Sequence, residues 1–185
     1  MKKANRLFFT LTTICFLLIT VISGCGYTTR SMISNKFHTI YVTPFINKID
    51  ITTEADAGSK YKLYRPMIET DITRVVNNRY LFDGNLKPAK KELADLILKG
   101  EVIEFRKDPL RYLDNDEVSE YRINLVVNIS MWDTKEDKLL WQENSFTGDT
   151  TFFVSGPQAK SENVAVNDAL NDLARRIVER TVEEW

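Results

Sequence analysis

Histidine and cysteine are nearly missing from this chain: its 185 residues hold one His and two Cys. That scarcity excludes a Cys/His zinc site, a histidine-rich metal centre and a disulfide framework, each of which needs more ligands or thiols than are present. Positive charge is not in excess either. With 25 Lys and Arg against 26 Asp and Glu, the formal net charge is −1, whereas general nucleic-acid binding needs a basic face that displaces counterions from phosphates. A glycine-rich phosphate loop and a serine in a nucleophile elbow are also missing. The many carboxylates do not single out an acid/base pair from a solvated surface. No catalytic residue, metal or cofactor is therefore expected, and His38 reads as a structural or surface residue. The hydrophobic fraction of 43% is that of an ordinary globular protein.

The N-terminus stands apart from the rest. Lys2, Lys3 and Arg6 precede an uncharged stretch from Leu7 to Ile22, and the small residues Ser23 and Gly24 then lead to Cys25. This is the layout of a secretory signal peptide; the apolar stretch is shorter than the roughly 20 residues that span a bilayer. Ile22-Ser23-Gly24-Cys25 resembles the lipobox of bacterial lipoproteins, which implies cleavage before Cys25 and acylation of its sulfur. Two or three acyl chains, at ~0.8 kcal/mol per buried CH₂, anchor a protein essentially permanently. Gly26, standing where Asp would resemble an inner-membrane retention signal, favours the outer membrane. The expected organisation is a signal peptide over 1–24, a lipidated tether over 25–36 and one domain over 37–185. Removing 24 residues, three basic and none acidic, leaves a mature chain of 161 residues with net charge −4, long enough for one domain with a core.

Within that domain, His38 to Phe45 reads as a strand at or near a sheet edge, and Asn47 to Ser59 as a loop. Leu63, Met67, Ile68, Ile72, Val75 and Val76 form the apolar stripe of a helix. Asn77-Asn78-Arg79 is expected to end it, with a short strand at Tyr80 to Phe82 and a connecting turn from Lys87 to Leu93. Leu96 to Phe105 reads as a second strand with a bulge or close approach at Gly100. From Glu120 to Trp132, apolar and polar residues alternate, as in a sheet packed on one face only. A charged hairpin loop, Asp133 to Lys138, leads into a strand from Leu139 to Thr147, with an interruption expected at Gly148 to Thr151. Ser161 is the expected N-cap of a final helix whose stripe runs through Val166, Leu170, Leu173, Ile177, Thr181 and Trp185. Two amphipathic helices and a one-sided sheet fit an α+β fold, a two-layer sandwich of mainly antiparallel sheet with both helices packed on one face.

Several stretches in this order resemble the LptE family of lipopolysaccharide-assembly lipoproteins. They are Cys25-Gly26-Tyr27, Thr39 to Phe45 with Asn47, Ala94 to Val102, Val118 to Ile123, the pair Leu140-Trp141 after the hairpin, and Ile177 to Trp185. The resemblance implies a non-enzymatic outer-membrane lipoprotein that plugs the lumen of the β-barrel LptD, assists its assembly and helps deliver lipopolysaccharide. A tether of twelve residues reaches roughly 40 Å when extended. An alternative of a different class is a lipoprotein activator of a periplasmic peptidoglycan synthase, whose first strand resembles Val42 to Asn47. A further one is an oligomeric secretion-channel lipoprotein of the curli type. Those families alternate α and β units after the first helix, whereas two long strands joined by a charged hairpin follow here.

Direct contact with lipopolysaccharide would favour Arg and Lys against its phosphates. The candidates are Arg106, Lys107 and Arg111, expected after the second strand, and Arg122 on the polar strand face. Lys87, Lys90 and Lys91 form another basic cluster. Val126 and Trp132, apolar on an otherwise polar face, are candidates for a partner surface.

Overall fold

The structure, a computed structural model, describes residues 36–49 and 65–183, with the side chain of residue 183 left out. Cys25, the tether before Lys36, most of the expected loop, the expected start of the first helix and Trp185 lie outside the described residues. The elements are β1 (Thr39–Val42), β2 (Ile46–Asn47), α1 (Ile68–Asp83), β3 (Lys87–Pro88), a 3₁₀ turn (Lys91–Leu93), β4 (Leu96–Tyr112), β5 (Val118–Asp133), β6 (Lys138–Phe153) and α2 (Glu162–Glu183). They build one six-stranded sheet in the order β3-β1-β4-β5-β6, with β2 beside β4. The long strands β4, β5 and β6 are antiparallel, and the short ones join in parallel. Both helices cover the same face, as the α+β sandwich requires.

β5 sets that arrangement. Its residues Ile123, Leu125, Val127, Ile129 and Met131 are buried, and each alternates with a residue on the opposite face. They meet Val166, Ala169, Leu170, Leu173, Ala174 and Ile177 of α2 and Ile68, Ile72, Val76 and Tyr80 of α1 in one core. Ser161 caps α2 as expected, its Oγ accepting a bond from the Val164 amide at 3.4 Å.

Several boundaries differ from the sequence expectation, for local reasons. α1 continues through Asn77-Asn78-Arg79 to Asp83, so Tyr80 to Phe82 is helix and not strand. Tyr80 extends the stripe of Ile68, Ile72 and Val76 by one more turn, and its hydroxyl is 2.8 Å from Thr181 Oγ1 in the buried seam between the helices. Gly84, at φ 77, closes the helix by donating its N–H to Tyr80 O. Pro66 precedes the helix. β4 runs on past Phe105 to Tyr112, so Arg106, Lys107 and Arg111 lie within the strand. Pro109 is tolerated there beside a register shift, on a stretch where no described strand covers the other edge.

The two glycines in strands serve as close-approach sites. A Cβ at Gly100 would overlap the Phe45 ring, whereas the nearest bulge in β4 falls between Val102 and Glu104. β6 is continuous from Lys138 to Phe153, without the expected interruption. At Gly148 the missing Cβ makes room for the backbone of Leu173 in α2. Beside this contact the Asp149 amide donates to Asp172 Oδ2 (3.1 Å), and Arg176 bonds both Asp149 (2.9 Å) and Asp172 (2.7 Å). Burial opposes ionisation of Asp172, but the bonds from Arg175 and the Asp149 amide hold its carboxyl below the ordinary range.

Gly148→Ala tests the close approach, because the added methyl meets backbone that cannot rotate away. The expected loss is about 1–3 kcal/mol of stability, read by urea unfolding; an unchanged midpoint would contradict the contact.

Candidate functional site

The helix-free face of the sheet has two parts. At one end, Tyr41, Ile97, Trp132 and Leu139 stand side by side across four strands, since Tyr41 pairs with Ile97, Ile97 with Trp132, and Trp132 with Leu139. Lys99 Nζ lies 4.3 Å from the centre of the Trp132 ring, and the indole N–H donates to Ser130 Oγ at 3.3 Å. A shallow depression of about 430 Å³ adjoins this row, lined by Thr43, Pro44, Lys99, Glu101, Asn128 and Gln142 among others. The rest of the face is polar. Glu104 lies opposite Val126, Arg106 opposite Asn124, Asp108 opposite Arg122 and Arg111 opposite Glu120.

The four candidate cations do not form one cluster. Arg106, Arg122 and Arg111 occupy successive rows of the helix-free face. Lys107 points to the other side, where its Nζ lies 2.5 Å from Glu162 and 4.7 Å from the centre of the Tyr121 ring. Each of the three arginines is matched by acid: Arg106 by Glu104 (3.6 Å) and Asp108 (3.4 Å), Arg111 by Glu120 (3.7 Å), and Arg122 by Asp149 (3.9 Å). Such pairs on an exposed face add little to stability, yet they cancel the field of a stripe that would otherwise be strongly basic. Val126 is half-buried between Glu104 and Thr147, and Trp132 belongs to the apolar row. Tyr41, Ile97 and Leu139 were not singled out from the sequence, because their meeting with Trp132 depends on strand register.

Asp95 was also missed. It stands immediately before β4 and gathers the start of β1: its Oδ2 accepts from the amides of His38 (3.0 Å) and Thr39 (3.1 Å) and from Thr39 Oγ1 (3.0 Å). Thr39 Oγ1 accepts in return from the Asp95 amide (2.9 Å), and Lys135 Nζ reaches Asp95 Oδ1 at 2.8 Å. Burial alone would raise the Asp95 pKa, but the Lys135 bond and the His38 and Thr39 donors outweigh it and hold the carboxyl well below the ordinary range. This clasp fixes the point where the chain enters the sheet at the start of β1. Among the described residues, no three His, Cys, Asp or Glu side chains converge as metal ligands do.

A family model described as lipopolysaccharide-assembly, LptE, matches residues 37–181. The chain belongs to the LptE family. LptE proteins are non-enzymatic lipoproteins of lipopolysaccharide assembly at the outer membrane, and the match spans the fold from before β1 to the last turns of α2. No curated protein matches the chain. Among solved structures, the hypothetical protein CT253 from Chlamydia trachomatis is similar in fold, with 13% identity and a TM-score of 0.51 over 78% of this chain and 95% of that one. The uncharacterized lipoprotein B from Nitrosomonas europaea has 15% identity and a TM-score of 0.49, over 85% of this chain and 90% of its own. The rare lipoprotein B from Shewanella oneidensis has 12% identity and a TM-score of 0.42, over 76% and 92%.

The Asp95 clasp predicts a pH dependence in this LptE protein. A carboxyl whose folded pKa is depressed stabilises the fold above its unfolded value of about 3.9, and the contribution fades as pH falls below that value. Asp95→Asn should therefore lower stability near neutral pH by on the order of 1–3 kcal/mol. It should also flatten the acid-side decline below about pH 4 in thermal melts. A variant with wild-type stability and the same acid limb would refute the clasp.

Proposed function

We propose that this LptE protein is an outer-membrane lipoprotein acylated at Cys25, and that its domain occupies the lumen of an LptD-type β-barrel, assists barrel assembly and helps pass lipopolysaccharide outward. The observation that carries this reading is the family match over residues 37–181. The molecular surface is compatible with it. A barrel lumen is polar and wet, and the helix-free face presents arginines already neutralised by neighbouring carboxylates together with amides and hydroxyls. The lipobox ending at Cys25 supports the anchor, with 1–24 as signal peptide, 25–36 as tether and the rest as one domain. The match weighs against the peptidoglycan-synthase activator.

In this reading Trp132 and Val126 contribute to the barrel-facing surface, and the apolar row that includes Trp132 gives it a dry anchor on an otherwise polar face. Lipopolysaccharide contacts fall to Arg106, Arg111 and Arg122, which present bidentate donors along one stripe. A bound phosphate replaces Glu104, Asp108, Glu120 or Asp149 as their partner. Lys107, on the other side of β4, contacts the lipid only past the sheet end, beside the start of α2.

Affinity purification from detergent-solubilised membranes tests the central reading: a large β-barrel protein should be recovered at near one-to-one ratio, and recovery of a peptidoglycan synthase in its place would overturn it. For the lipid contacts, Arg106→Glu with Arg111→Glu should weaken lipopolysaccharide binding in vitro by on the order of tenfold, about 1.4 kcal/mol. Unchanged binding would remove these residues from the contact.

A further inference from the structure

The charges of this chain are unevenly placed. The mature chain is net acidic, yet from Cys25 to Ile49 it has no Asp or Glu, and none occurs from Gly84 to Lys91. The fold brings His38 to Ile40 of the first stretch against Lys87 to Ala89 of the second, at the start of β1. β3 lies against β1, with Lys87 paired to Thr39 and its amide bonded to His38 O at 2.9 Å. The following 3₁₀ turn closes over the same residues, with Thr39 Oγ1 3.2 Å from Leu93 O. Lys87, Lys90 and Lys91 are all exposed, and none has a carboxylate partner among the described residues. Leu93 projects beside them with 73% of its surface open to solvent. The carboxylates of this end are largely engaged: Asp95 by Lys135, and Asp133 and Glu136 by Lys36. Glu92, within the turn, is exposed.

We infer that, before the domain enters a barrel, Lys87, Lys90, Lys91 and Leu93 form a docking patch for the surface of an anionic phospholipid bilayer, the leaflet that receives the acylated N-terminus. The inference rests on the lipid anchor at Cys25 proposed above. Ten residues separate Cys25 from Lys36, so the patch lies within tether reach of the membrane. Lysines near an anionic surface each add a favourable electrostatic contribution, and an exposed leucine adds a small apolar anchor of the kind interfacial segments use. At the opposite end of the sheet, more than ten residues along β4 from this patch, Arg106, Lys107 and Arg111 are each paired with a carboxylate, and the β4–β5 turn adds Asp114, Asp116 and Glu117. The charge distribution therefore orients the domain with its tether end toward the leaflet.

The test uses the full lipoprotein with Leu93→Cys, which carries the one free thiol once Cys25 is acylated, labelled with an environment-sensitive fluorophore and reconstituted into vesicles. Emission should shift to the blue in phosphatidylcholine vesicles containing phosphatidylglycerol and not in phosphatidylcholine alone. The shift should vanish at high salt and with Lys87→Gln, Lys90→Gln and Lys91→Gln combined, which lowers the docked population by on the order of a hundredfold. A label at Val164→Cys, at the start of α2, should stay unshifted in both vesicles. Equal emission in the two vesicle types, or a shift that survives loss of the three lysines, overturns the patch. Displacement by soluble glycerol phosphate would make it a small-anion site and also overturns it. Flotation with neutral vesicles reads the Cys25 anchor separately: a chain that does not float refutes the anchor, while the emission arms still decide the patch.

Discussion

Strict alternation along β5 is the constraint on which the rest of the structure depends. Every second residue from Ile123 to Met131 is apolar and buried, so all helical cover must lie on one side of the sheet. α1 and α2 meet this demand together, and their meeting line carries the Tyr80–Thr181 hydroxyl pair as its polar interaction. The small residues Ala165, Ala169 and Ala174 on α2 are buried, and Gly148 removes a side chain where the helix backbone comes nearest β6. With one face committed to packing, the other is free of helices and is shaped by different rules.

On that open face the cations and carboxylates stand in adjacent rows and neutralise one another. Exposed pairs of this kind contribute little to folding. Their effect is on the local field, which neighbouring carboxylates offset despite three arginines. The apolar row from Tyr41 to Leu139 breaks the pattern at the end where β1 begins. The Asp95 clasp lies at the same end and joins the start of β1 to β4 and the β5–β6 hairpin. Clasp and apolar row therefore share one end of the sheet, and the charged rows extend away from them.

Long periodic elements were legible in the sequence. β5 and α2 each repeat their pattern over many residues, and the one-sided sandwich follows from those two alone. Elements that depended on a single local cue were read less well. Asn77-Asn78-Arg79 resembles a helix end, but these residues occupy the outer side of a turn whose inner position is Tyr80. Gly148 resembles a break and is a contact. Arg106, Lys107 and Arg111 look like one basic cluster when counted along the chain, yet the two-residue period of β4 sends Lys107 to the opposite face. Register is set by the packed core and not by neighbours in sequence, so neither the row through Tyr41, Ile97, Trp132 and Leu139 nor the closure of Asp95 on His38 and Thr39 was visible beforehand. Recognition of the family rested on the order of several weak motifs, and the family model spans the same stretch of chain.

The central claim is that the helix-free face, and not the helical layer, meets the barrel. Site-specific photo-crosslinking in intact cells tests it most directly, with the photoreactive residue placed at Val126, Trp132 or Thr147 on the open face and at Leu81 or Val164 on the helices. The account predicts adducts with a large β-barrel protein from the open-face positions, and few or none from the helical ones. Adducts confined to Leu81 and Val164, with the open face silent, would contradict it.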